Sequence, residues 1–91
     1  MAKQRILVVD DEEDIIELVR YHLAREGYEV VVSASGEDAL KKAKREALDL
    51  VVLDLMLPGL DGLEVAKALK ADAKSKTLPL IMLTAKGEDA D

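Results

Sequence analysis

The stretch VVLDLMLPGLDG, residues 51–62, ends an apolar run in Asp54 and follows it with Pro58, Gly59 and Gly62. The run from Leu50 to Leu53 is short and bounded by turn-forming residues, which suits a strand buried on both faces of a parallel sheet. A charge at the mouth of such a strand marks a place to look for chemistry. On the C-terminal side, Asp61 and Glu64 have helix-capping spacing, and Val65, Ala66 and Leu69 carry an apolar helical stripe. The polar ADAKSKT, residues 71–77, closes that helix. Pro79 then opens a further strand, LIMLT, where its missing amide donor does least harm.

Working back towards the N-terminus, the same alternation recurs. Ile6 to Val9 form a short apolar run that stops at acids, and its length favours a strand. From Glu13 to Glu26, Ile15, Val19 and Leu23 recur every fourth residue with Ile16 beside them, a helical stripe that Gly27 is placed to cap. YEVVVSA supplies a β-branched strand centred on Val30 to Val32. Ser35 and Asp38 are spaced as a capping box for a helix marked by Ala39, Leu40 and Ala43. The order is β-α-β-α-β-α-β with short connections, and right-handed parallel crossovers are its economical solution. In an open α/β sheet of that kind, ligands bind beyond the carboxyl ends of the strands.

Composition narrows the function classes. The chain of 91 residues is 49% hydrophobic and 35% charged, which is globular and of single-domain size, residues 1–91. With no Phe or Trp and only Tyr21 and Tyr28, the core is aliphatic, and with no cysteine the fold rests on packing alone. Thirteen Lys and Arg against nineteen Asp and Glu leave a net charge of −6, the wrong sign for direct nucleic-acid binding. The N-terminal apolar run is too short for a signal core or a membrane span, so no membrane association and a cytoplasmic location are expected. His22 is expected at the surface, Met56 and Met82 as core filler, and KKAKRE, residues 41–46, as a solvated helix face.

The strand ends carry Asp10 and Asp11, Asp54, and Thr84. If the first and third strands are neighbours, three carboxylates converge; at an effective dielectric near 20, like charges about 4 Å apart repel by roughly 4 kcal/mol. A hard divalent cation relieves that, and an oxygen-only donor set fits Mg2+. Asp54 could then act as a nucleophile towards phosphorus, forming an acyl phosphate, while the Thr84 hydroxyl donates to a phosphoryl oxygen and Pro58, Gly59 and Gly62 shape the loop. Other α/β chemistries lack their parts. VVDDEEDI has neither the glycines of a dinucleotide site nor the Gly-Lys-Thr or Gly-Lys-Ser of a P-loop, and Met56 stands where a haloacid-dehalogenase-type phosphatase has a second Asp.

ILVVDDEEDI, LDLVVLDLMLPGLDGLEV and LPLIMLTAKGE together resemble the receiver domain of two-component response regulators, nearest to receivers of the phosphate-regulon type, along almost the whole chain. The resemblance implies a flavodoxin-like open parallel sheet in strand order 2-1-3-4, shortened by the family's final α-β-α elements. It implies that Asp54 is the phosphoacceptor for a sensor histidine kinase. It further implies that Asp11, Asp54 and the Met56 backbone carbonyl ligate Mg2+, with Asp10 supporting the ion directly or through water. Thr84 corresponds to the switch hydroxyl and Ala85 to its small neighbour that gives the phosphoryl group access.

The family's bridging lysine has no counterpart, and Lys86 is not it. Activity is therefore expected to be no more than self-phosphorylation from a phosphodonor and slow loss of the group. The alternative is a truncated or engineered receiver fragment without efficient phosphotransfer. In either case a fourth strand left at the sheet edge predicts a homo-oligomer, through that strand or by exchange of a terminal segment.

Overall fold

Short apolar runs separated by amphipathic stretches fold here as the pattern demands. The structure, a computed structural model, describes residues 3–57 and 59–83. Its elements are β1 (Arg5–Val9), α1 (Glu13–Arg25), β2 (Glu29–Ser33), α2 (Gly36–Arg45), β3 (Leu50–Asp54), α3 (Gly62–Ala71) and β4 (Leu80–Leu83). All strand pairings are parallel and the sheet order is β2-β1-β3-β4, the flavodoxin-like arrangement expected. Thr84, assigned to the fourth strand by its sequence, lies outside the described residues.

Each interior strand is apolar on both faces because it has helices above and below it. Leu7, Val9, Val51 and Leu53 point to one side, where Ala39 and Ala43 of α2 and Val65 and Leu69 of α3 pack on them. Ile6, Val8 and Val52 point to the other, where Val19 and Leu23 of α1 cover them together with Tyr28. Among the described residues, two helices against one leave the second face unevenly covered. On β4, Leu80 and Met82 join the first cluster and Leu83 the second, but Ile81 is 49% exposed.

Local signals end the helices. Gly27, at φ 95°, continues a Schellman turn in which its N–H donates to Ala24 and that of Tyr28 to Leu23, a conformation that favours glycine. Asp61 Oδ1 accepts the Glu64 N–H at 3.0 Å to start α3, and Ser35 Oγ accepts the Asp38 N–H at 3.1 Å to start α2.

Three expectations change. Asp38 completes no reciprocal capping box, because its carboxylate is drawn to Ser33 Oγ at 2.8 Å. Met56 is not core filler; it follows the strand end and is 62% exposed. Within KKAKRE, Lys41, Lys44 and Arg45 are exposed, but Lys42 lies half-buried, its ammonium donating to the Val32 carbonyl at 2.5 Å and pairing with Asp38. His22 is exposed as expected. No described helix is long and apolar enough to cross a membrane.

Candidate functional site

Parallel register decides where the acids meet. Val9 of β1 lies opposite Leu53 of β3, so the next residues, Asp10 and Asp54, leave adjacent strands at the same level. Asp11 follows in the turn towards α1. A carboxylate oxygen from each of Asp10, Asp11 and Asp54 lies within 4.8 Å of the others. The three differ in exposure, Asp10 being buried, Asp54 half-buried and Asp11 exposed.

The backbone orients two of these groups. Glu12 donates its N–H to Asp10 Oδ1 at 2.9 Å, and Met56 donates its N–H to Asp54 Oδ1 at 3.1 Å. Each is a tight Asx-type turn that occupies one oxygen and leaves the second without a hydrogen bond among the described residues. The Asp10 N–H, in turn, donates to the Ser33 carbonyl at 3.1 Å, extending the β1–β2 ladder by one rung.

Burial holds the Asp10 carboxyl above its ordinary pKa, and the negative charges of Asp54, Asp11 and Glu12 push the same way; the bond from the Glu12 N–H opposes them. Among the described residues no Lys or Arg forms an ion pair with any of the three acids. A partly buried carboxylate cluster with oxygen donors only, and with no ion-pair partner among the described residues, is the donor set of a hard divalent cation, and it fits Mg2+.

The loop after β3 forms one wall. Leu55 donates its N–H to Leu83, and Gly62 donates its N–H to Leu55, folding the segment back over the strand end. Gly62 comes so close to the Asp54 carbonyl that a Cβ there would press into that oxygen and lie 2.6 Å from Leu55 Cα. Gly59 has φ 69°, in the left-handed region. Asp11, Leu55, Met56, Leu57 and Asp61 line the shallow depression beside the acids. Pro58, Thr84 and Ala85 lie outside the described residues.

Sequence reading missed two contributors. Ser33, 2% exposed at the end of β2, and Asp38 of α2 adjoin the cluster through the Asp10 backbone. The spacing of Asp38 from Ser35 pointed to a cap, and nothing in the linear pattern distinguished Ser33 from a polar strand terminus. Gly36 also bears on the site: a Cβ there would meet the Leu60 carbonyl, so α2 packs against the loop that leaves Asp54.

Comparison with known proteins agrees with this geometry. The family model of the response regulator receiver domain matches residues 6–91. The alkaline phosphatase synthesis transcriptional regulatory protein PhoP of Bacillus subtilis (strain 168) is 53% identical over 88 residues, covering 97% of this chain and 36% of its own length. The chain thus spans about a third of that relative. Among solved structures, a response regulator from Chloroflexus aurantiacus J-10-fl superposes with a TM-score of 0.91 at 38% identity, over 96% of this chain and 71% of that one. The response regulator TrrA of Thermotoga maritima, solved in complex with Mg(2+)-BeF, superposes with a TM-score of 0.85 at 48% identity, over 92% and 71% of the two chains.

Proposed function

The chain belongs to the response regulator receiver domain family, and on that premise we propose that it is a phosphoacceptor module in which Asp54 takes a phosphoryl group from a sensor histidine kinase. The observation that carries this reading is the convergence of Asp10, Asp11 and Asp54 at the level ends of two adjacent parallel strands. The carboxylates of Asp10, Asp11 and Asp54, with the Met56 backbone carbonyl, would hold Mg2+, and in TrrA a Mg(2+)-BeF group was captured by a chain of this family. When bound, the cation supplies neutralising charge for the acids and for an incoming phosphoryl group.

The chain's own residues do the rest. Asp54 Oδ1 is held by the Met56 N–H, so the free oxygen is presented at the strand end. That oxygen forms the new P–O bond as the P–N bond of a phosphohistidine breaks, the imidazole nitrogen keeping the electron pair. On the family resemblance Thr84 is assigned the switch hydroxyl, Ala85 the access position, and Pro58, Gly59 and Gly62 the shaping of the loop. The reading places the module in the cytoplasm. Incubation with acetyl phosphate and Mg2+ is expected to add one phosphoryl mass to the wild type and none to Asp54→Ala; identical masses would overturn the proposal.

A second reading concerns assembly. Among the described residues β4 is an edge strand with one neighbour, β3, and its Ile81 is half exposed on the face α1 leaves open. Such an edge templates pairing with another chain, and we infer that two copies associate there. Sedimentation at micromolar concentration is expected to show a dimer, and a monomer would overturn this.

A further inference from the structure

Besides Asp10, two polar residues are buried among the described residues, Ser33 and Ser75. Ser75 is accounted for by its bond to the Leu69 carbonyl, which finishes α3. Ser33 is different, because its two polar ends point to separate elements. Its carbonyl accepts the Asp10 N–H at 3.1 Å, and its hydroxyl donates to Asp38 Oδ2 on α2 at 2.8 Å. The same Asp38 oxygen receives the Lys42 ammonium at 3.2 Å, and Lys42 also donates to the carbonyl of Val32, the residue before Ser33. The end of β2 is therefore tied to α2 at two successive residues.

These ties matter because β2 is an edge strand. Its only ladder partner among the described residues is β1, in the register Val9 to Ser33, and an edge strand's end is among the first places a sheet opens. Among the described residues the Asp10 carboxylate has no side-chain hydrogen-bond or ion-pair partner to steer it. Its direction is set by its own N–H on Ser33 and by the Glu12 N–H on Oδ1, so any play at Ser33 passes to the acid. A buried hydroxyl costs stability unless bonded, and an apolar β-branched residue would suit the strand itself better. The Ser33 hydroxyl is thus explained by its bond to Asp38 rather than by strand formation.

Resting on the Mg2+ reading above, we propose that Ser33 and Asp38, supported by Lys42, are positioning residues that lock the end of β2 to α2 and so hold Asp10 where it shares a cation with Asp11 and Asp54. The Ser33 bond is also the main cause that keeps the Asp38 carboxyl below its ordinary pKa, with Lys42 acting in the same direction. Asp38 is consequently a full anion at neutral pH and a strong acceptor for the hydroxyl.

The test is Mg2+ affinity by titration calorimetry, at a temperature where circular dichroism shows every variant folded. Ser33→Ala and Asp38→Asn are each expected to weaken Mg2+ binding by about 10-fold, the lower end for groups that orient metal ligands from behind. The double variant should lose no more than either single one, because the two act as a unit, and Ser33→Thr should restore binding. Glu37→Gln, which removes an exposed charge from the same turn, measures the general effect of charge. A loss in Asp38→Asn no larger than in Glu37→Gln would overturn the inference.

So would a lowered melting midpoint in Ser33→Ala with unchanged Mg2+ affinity, since that is the signature of a purely structural role. Should Ser33→Ala fail to fold, Asp38→Asn, altered at a half-exposed side chain, carries the same test. A wild type that binds no Mg2+ is a distinct result, and it would overturn the reading on which the inference depends.

Discussion

At Asp10, stability and chemistry pull in opposite directions. Burial, foremost, and the neighbouring acids raise its pKa in the folded state. A carboxyl of that kind contributes stability that is fully present below the unfolded value and is lost as pH rises through the folded one. At neutral pH its charge therefore works against the fold unless a cation offsets it. Asp10→Asn is expected to stabilise the metal-free chain by on the order of 1 kcal/mol while weakening Mg2+ binding; paired thermal melts with and without Mg2+ read both effects. Asp38 behaves oppositely. Its depressed folded pKa gives stability that is present above the unfolded value of 3.8 and is lost as pH falls through the folded one. Asp38→Asn should flatten the acid limb of the stability curve below about pH 4 and leave the neutral plateau sloped as before, as measured by urea unfolding across pH.

Among the elements, the turns on which the site rests depend on close approach more than on propensity. The start of α3 lies against the backbone that follows Asp54, where Gly62 leaves no room for a methyl group. Gly62→Ala is expected to cost roughly 1–3 kcal/mol by overpacking and to displace the Met56 N–H that holds Asp54; urea denaturation gives the first quantity and Mg2+ titration the second. Helix existence was legible in linear order because the stripes in α1, α2 and α3 have helical spacing and the caps Ser35, Asp61 and Gly27 carry their own chemistry. The fate of the Asp38 side chain was not legible, since Ser35 and Ser33 are both within reach and only packing of α2 on β2 chooses between them. Met56 misled for a related reason: its type suggests core, but its place after the strand end turns it to solvent.

At the scale of the whole molecule, the layering among the described residues is unequal, with α2 and α3 on one face of the sheet and α1 on the other. The face over β3 and β4 is where Ile81 stands half exposed. If two copies meet along β4, Ile81→Lys should shift sedimentation to the monomer with little change in the monomer's own stability, because charge at an edge strand deters pairing. The order of elements, the aliphatic two-sided strands and the types of residue at the strand ends were determined by the sequence itself, because hydrophobic period, turn chemistry and charge are local properties. That β1 and β3 are neighbours in a register that levels Asp10 with Asp54, and that Ser33 and Asp38 stand behind them, was decided only by tertiary structure. Those relations join residues far apart in the chain, and their energies arise from packing and parallel pairing that no short window of sequence contains.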